Sequence, residues 1–421
     1  MYPFARKWLQ VPLFNLMLVA FIGIILRYKI AFSLPFVNQK YLLNGHSHFA
    51  FAGWITQALM ALLVASLSEQ NGRNYFQKYR AILIANLITA YGMLLTFPLV
   101  GYAYPSILFS TLSIFVSYVF SFVFWKDISK LMIKNPANSW FKIALLCNVA
   151  SSAGAFSLAY MMATKNVHQN FYLAAVYFFL HFQYNGWFFF SCMGLLVYRL
   201  YGNGIRGNSF KKIFVLFTGS VIPAYFLSVL WAPIPLWLYI LVVIAAIAQL
   251  AGWILILRLI QKNIGEIKKY PIGLSGFLFI LCGIALTIKL CLQAGSVIPS
   301  LSKLAYGFRP IVIGYLHLEL LAVISLFIIT YFFAHKFVHI NKMSTIGIIL
   351  FTLGIFLNEI LLMIQGVSDI RYTGVPFINH YLFGTAILLF GGMLIVNYGQ
   401  FFYKTEQDHK VFDFGPVIGI S

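Results

Sequence analysis

The chain has 421 residues, of which 61% are hydrophobic and only 9% are charged. Soluble globular proteins carry about 25% charged residues, so this composition excludes a fold that exposes most of its surface to water. The net charge of +20 would suggest nucleic acid binding in a soluble protein. The sequence lacks the basic, aromatic-interleaved tracts that grip nucleic acid, so we expect an integral membrane protein without a nucleic acid partner.

Apolar stretches of about 20 residues, the length of a helix that crosses a bilayer, recur along the whole chain. They predict an all-α polytopic membrane protein with about twelve transmembrane helices in a single domain over residues 1–421. The longest polar loop is expected at 126–142. The predicted spans are 10–30, 42–67, 80–103, 105–125, 141–163, 171–199, 212–231, 235–260, 272–293, 310–333, 345–366 and 376–400.

Positive charge marks one side of the predicted membrane protein. Most of the 29 lysines and arginines fall before the first span or in every second connection after it, beginning with Arg6 and Lys7. Because cytoplasmic loops carry an excess of these residues, the pattern predicts that both termini are cytoplasmic. We expect a multi-pass protein of a bacterial inner membrane, with membrane lipid around it.

Five of the nine histidines lie within predicted spans, in the halves that the charge pattern places on the outer side. A polar ring inside a bilayer is expensive, so several at similar depth indicate a common purpose. Imidazole is a ligand of haem iron and of copper. We expect a shared haem or metal site, with structural hydrogen bonds or a transport pathway as the alternatives. The candidate ligands are His46, His48, His181, His317 and His380.

The histidines recur on the second, sixth and tenth predicted helices, which is every fourth helix. Three four-helix arcs in a pseudo-threefold arrangement would bring these helices around a common axis. On the second helix, His46 and His48 are two residues apart and therefore point about 200° apart. We expect the pair to serve two sites on opposite sides of the helix.

The stretch GHSHFAFAGW, residues 45–54, resembles the His-x-His helix of the haem-copper oxidase superfamily, most nearly of its C-family oxidases and nitric oxide reductases. The stretch RPIVIGYLH, residues 309–317, is loosely similar to that family's arginine-then-histidine helix, which holds a low-spin haem. Twelve helices in three arcs are also the family's pattern. The chain resembles more weakly the NnrS proteins, another haem- and copper-containing membrane family.

The resemblance implies one or two haems and leaves copper open as a further cofactor. A low-spin haem would lie between the second helix and either the sixth or the tenth. A second haem or a metal would use the other member of the His46 and His48 pair. Arg27, Arg309 and Arg371, near the outer boundary, are candidates for binding haem propionates, with lipid headgroups as the alternative partner.

The sequence also departs from the family's pattern. The His-x-His pair lies on the second helix here and on the tenth helix in the family. The adjacent histidine pair that binds copper on the family's seventh helix has no counterpart, because residues 214–231 contain no histidine. Because of these departures, the interpretation as a non-catalytic relative competes closely with the interpretation as an enzyme.

Two carboxylates lie inside predicted spans. Buried carboxylates are costly in lipid and mark proton paths or charge partners, so Glu319 and Glu359 are candidates for a proton relay. Glu319 could instead orient a ligating histidine or pair with Lys289. Glu359, beside Asn358, could instead form a helix–helix hydrogen bond.

These features favour a haem-binding protein related to the catalytic subunits of respiratory oxidases and nitric oxide reductases. As an enzyme it would reduce oxygen or nitric oxide with electrons from a cytochrome or quinol, with partner subunits in the membrane. As a non-catalytic relative it would sense the gas with haem or copper, or assist oxidase assembly. The alternative from another class is a secondary transporter with a histidine-lined pathway.

Overall fold

A computed structural model describes residues 3–132, 135–268 and 273–411. Within these ranges the chain is helical and has no β-strand. The predicted cytoplasmic carboxyl terminus lies in residues 412–421, outside the described residues. The main helices are α1 Pro3–Phe32, α2 Gln39–Asn71, α3 Phe76–Val100, α4 Tyr104–Ser129, α5 Ala137–Thr164, α6 169–202, α7 Ser209–Val229, α8 Leu236–Lys262, α9 Gly273–Gly295, α10 Arg309–Ala334, α11 Lys342–Ile370 and α12 Ile378–Val411.

Eleven of these helices are long and apolar enough to cross a membrane, which confirms the predicted all-α polytopic membrane fold. The remaining one, α6, is continuous, but His181, Gln183 and Asn185 interrupt its apolar sequence. The surface of the bundle is apolar, with side chains such as Leu99 and Phe122 more than 70% exposed. Lipid is the solvent that suits such a surface.

Two connections differ from the prediction. The loop expected at 126–142 is shorter, because α4 continues to Ser129 and α5 begins at Ala137. The connection from α9 to α10 contains a short helix, Pro299–Gly307, which the hydrophobic pattern did not predict. A second short helix, Ile264–Lys268, follows α8.

The helices close into a ring with three of them at its centre. Each helix packs against its neighbours in sequence, and α12 packs against α1. The helices α2, α6 and α10 also contact one another. This arrangement agrees with the predicted three four-helix arcs, formed by α3–α6, by α7–α10 and by α11, α12, α1 and α2.

Each central helix changes to π-helical geometry just after its histidines. The π-helical segments are Ala50–Thr56 in α2, Phe182–Phe188 in α6 and Leu318–Ser325 in α10. A π-helical turn displaces backbone groups from the regular ladder, and in lipid these groups need other donors. Asn15 donates to the Gly53 carbonyl at 2.6 Å, and Asn86 donates to the Ala52 carbonyl at 3.0 Å.

The two halves of the central helices are packed differently. We call the end of the bundle at which α1 begins the near face, and the end at which α1 ends the far face. Toward the near face, residues 57–68, 181–195 and 322–333 are all buried. Toward the far face, no residue of Arg309–His317 is fully buried. The fold therefore has a solid near half and an open far half at its centre.

Glycines allow α11 and α12 to approach closely, and this contact gives a test of the packing. A Cβ on Gly392 would lie 2.6 Å from the Phe351 backbone nitrogen, whereas a Cβ on the adjacent Gly391 would meet nothing within 4 Å. We expect Gly392→Ala to destabilise the protein by about 1–3 kcal/mol because the helices must separate.

The matched control is Gly391→Ala, which should leave stability unchanged or raise it through the better helix propensity of alanine. Thermal unfolding in a mild detergent measures both variants. Equal melting temperatures for the two variants would show that α11 and α12 are farther apart in the protein than in this structure.

Candidate functional site

The structure separates the candidate histidines, and only His46 and His317 lie within electrostatic range of each other. His46 on α2 is also within electrostatic range of Arg27 on α1. His317 also interacts with Arg27, and Arg27 interacts with Glu359 on α11. We call these four residues, His46, His317, Arg27 and Glu359, the paired-histidine site. Four helices thus contribute to one polar cluster in the open far half of the bundle.

The ring of His317 is oriented by its own helix. Its Nδ1 donates a 2.8 Å hydrogen bond to the Ile313 carbonyl, one turn earlier. This bond fixes the tautomer, so the lone pair of Nε2 is free to bind a metal. Leu318 begins the π-helical segment immediately after this histidine. The local backbone therefore presents His317 as a preoriented ligand.

His46 is also placed for ligation. Its Nδ1 is buried and has no hydrogen-bond partner. The Val19 carbonyl of α1 lies near the ring, and the Cε1 atom would be 3.7 Å from a Cβ placed on Gly23. Because Gly23 has no side chain, the His46 ring packs close to α1. A buried ring nitrogen without a hydrogen-bond partner is a candidate position for a ligand.

The paired-histidine site is accessible although it lies inside the bundle. His46, His317, Arg27 and Glu359 are each half-buried, not fully buried. The neighbouring segment of α10 has no fully buried residue on any of its faces. Polar residues of a packed helix bundle are normally buried and hydrogen-bonded, so this partial exposure leaves the polar groups of the site open to a ligand.

His48 faces away from His46, as the two-residue spacing predicts. Its ring stacks on Phe97 of α3 with centroids 4.3 Å apart, and its Nε2 lies 3.0 Å from the Tyr102 hydroxyl. His46, by contrast, faces α1 and α10. The two histidines therefore belong to different surroundings on opposite sides of α2.

His181 has both ring nitrogens occupied. Its Nε2 donates to the Val221 carbonyl at 2.8 Å, and its Nδ1 accepts from Asn185 at 3.2 Å. The ring is fully buried. No lone pair is therefore free for a metal in this arrangement, and His181 does not join the paired-histidine site.

Glu319 forms the ion pair that was one of its predicted alternatives. The Lys289 Nζ lies 3.3 Å from Glu319 Oε2 and donates to Asn185 Oδ1 at 2.6 Å. Both charged side chains are almost fully buried. Asn185 in turn donates to His181, so one continuous network links α6, α9 and α10. Its position at the π-helical segments indicates a structural role in joining these helices.

Of the remaining candidates, Glu359 belongs to the paired-histidine site and the others lie outside it. Glu359 accepts a 3.2 Å hydrogen bond from Asn358 of its own helix, in addition to its interaction with Arg27. His380 is exposed, with its ring 4.9 Å from that of Phe32. Arg309 and Arg371 are exposed at the far face. Of the predicted arginines, only Arg27 belongs to the paired-histidine site.

The described residues contain no group of three or more His, Cys, Asp or Glu side chains that could hold a metal ion. The five candidate histidines therefore do not form one polydentate metal site in this part of the chain. The π-helical segments and Gly23 could not be predicted, because no residue pattern distinguishes them from the surrounding helix.

Neither the family models nor the curated proteins with which the sequence was compared match this chain.

The buried ion pair provides a test of the network. Lys289→Met leaves the Glu319 carboxylate buried without a partner, which should destabilise the protein by about 3–5 kcal/mol. The double variant Lys289→Met/Glu319→Gln removes both charges and should recover much of that loss. Thermal unfolding of the three proteins measures the effect. A single variant as stable as the unmodified protein would contradict the ion pair.

Proposed function

We propose that this chain is a haem-binding membrane protein in which His46 and His317 would hold the haem iron. The observation that carries the proposal is that two imidazoles on neighbouring central helices lie within electrostatic range of each other, and the hydrogen bond from His317 Nδ1 to Ile313 leaves its Nε2 free. The residues present fit such a group, because the His46 Nδ1 has no hydrogen-bond partner and both histidines are only half-buried.

Haem suits the site better than a bare metal ion. A structural or catalytic zinc site takes three or four protein ligands, but only two histidines are paired here. Haem iron needs only axial ligands from the protein, because the macrocycle supplies the others. When bound, such a group supplies one-electron redox chemistry. The two histidines would hold it, and the hydrogen bond from His317 to Ile313 would keep that ligand oriented.

Arg27 supports the same proposal through its charge. Its guanidinium lies within electrostatic range of both histidines and of Glu359. The Glu359 carboxylate also accepts a hydrogen bond from Asn358. A guanidinium forms charge-assisted hydrogen bonds with carboxylates such as haem propionates. Arg27 lies one turn beyond Gly23 on α1, toward the far face. Arg27 would therefore be the residue that binds the haem carboxylates.

Ligation by two histidines favours electron transfer or sensing over gas reduction, because it leaves the iron no open position. A second haem or a metal for oxygen or nitric oxide reduction would have to use His48, which contacts Tyr102. Copper at His181 would have to displace two hydrogen bonds. We propose a relative of the haem-copper oxidase superfamily that exchanges electrons with a quinol or cytochrome, in a bacterial inner membrane.

Haem content and ligation are tested by substitution. We expect the purified protein, expressed with haem precursors supplied, to show a Soret band and a low-spin haem signal. His46→Ala and His317→Ala should each lose the low-spin signal because one axial ligand is missing. His380→Ala is the matched control and should retain it, since this histidine is exposed outside the site.

Optical spectra, pyridine haemochrome analysis and electron paramagnetic resonance make these measurements. A low-spin signal that survives in both His46→Ala and His317→Ala would refute the assigned ligands. A protein that never acquires a Soret band would favour the secondary transporter.

Carbon monoxide distinguishes electron transfer from gas chemistry. The reduced, unmodified protein should show no spectral change with carbon monoxide, because both axial positions are filled. His46→Gly should gain a carbon monoxide response if it retains haem on His317. A response in the unmodified protein would instead support a second, open haem and the reductase interpretation.

A further inference from the structure

A polar cavity of about 380 Å³ lies at the near face, at the ends of the three central helices. Its lining includes Gln70 at the end of α2, Arg199 of α6 and His335 after α10. Arg206, in the connection after α6, contributes a second guanidinium. This cavity is at the opposite end of the bundle from the paired-histidine site and has no part in the proposed haem ligation.

The two guanidinium groups are held in place by other side chains. Arg199 donates to His335 Nε2 at 3.2 Å, and His335 Nδ1 donates to the Tyr331 carbonyl at 3.0 Å. His335 is thus a neutral acceptor toward Arg199 and does not itself compensate the positive charge. Arg206 stacks on the Tyr201 ring, with its central carbon 3.6 Å from the ring centroid, and also donates to the Tyr201 carbonyl.

The remaining lining adds hydrogen-bond donors and no acid. The Gln70 Nε2 is buried and has no hydrogen-bond partner. Amide side chains of Asn135 and Asn203 also line the cavity. Among the described residues the lining contains no carboxylate. The carboxylate of Glu69 accepts from Tyr198 at 3.2 Å and is not part of the lining.

We infer that this cavity binds a phosphate group. Two guanidinium groups supply paired donors that match phosphate oxygens, and a buried amide donor without a partner requires an acceptor. The cavity is far larger than one ion needs, so it accommodates a phosphate with the molecule that carries it. Two carriers share this chemistry: an anionic phospholipid headgroup and a soluble phosphate compound. Basic pockets between transmembrane helices suit the first.

The test compares Arg206→Gln and Gln70→Leu with the control Arg258→Gln, which removes an exposed arginine of α8 outside the cavity. In a neutral detergent at constant ionic strength, inorganic phosphate is titrated and thermal unfolding is followed. In lipid nanodiscs, phosphatidylglycerol is compared with phosphatidylcholine, and retained lipid is identified by native mass spectrometry.

We expect stabilisation by phosphate or phosphatidylglycerol in the unmodified protein and in Arg258→Gln. The apparent affinity should fall about tenfold or more in Arg206→Gln, because a charge-assisted hydrogen bond is lost. Gln70→Leu should weaken binding without removing charge. A response only to phosphatidylglycerol assigns a lipid headgroup, and a response to inorganic phosphate as well assigns a soluble compound.

Two results would overturn the inference. The first is the absence of any stabilisation beyond that given by chloride, in both detergent and nanodiscs. The second is an equal response in Arg206→Gln, Gln70→Leu and Arg258→Gln, which would show that general screening of positive charge is responsible.

Discussion

The arrangement of the chain depends on hydrogen bonds between the π-helical segments of the three central helices. Trp54 of α2 donates to Ser325 of α10 at 2.8 Å, and Trp187 of α6 donates to Thr56 of α2 at 3.3 Å. The third pair, α6 and α10, is joined through Lys289 of α9. In a low-dielectric interior each unmet polar group is costly, so these bonds define how the three arcs meet.

This junction divides the centre of the molecule into two environments. On its near side the central helices are fully buried, and large side chains such as Phe188 and Phe332 fill the space. On its far side these helices are less buried, and α2 and α10 carry half-buried histidines. A rigid base beneath an open polar region is the arrangement that keeps ligands oriented for a bound group. His181 and His317 each directly precede a π-helical segment, and they differ because both ring nitrogens of His181 are hydrogen-bonded, to Val221 and Asn185.

The sequence predicts the fold well because hydrophobic length and histidine spacing are local signals that the bilayer makes decisive. It identifies His46 and His317 as candidates by type and depth. It cannot choose between α6 and α10 as the partner of α2, because that choice depends on tertiary packing. The hydrogen bonds of both ring nitrogens of His181 with Val221 and Asn185 depend on tertiary packing and are not predictable from the sequence. The same holds for the position of Arg27, rather than Arg309, at the site. Glu319 had two interpretations, and only the distance to Lys289 separates them.

We propose that His46 and His317 hold one haem between α2 and α10. An experimental density map of the haem-loaded protein tests this proposal most directly. The map should contain a flat macrocycle between the two imidazole rings, with its carboxylates toward Arg27. Rings in direct contact with each other, or a macrocycle ligated by other histidines, would contradict the claim.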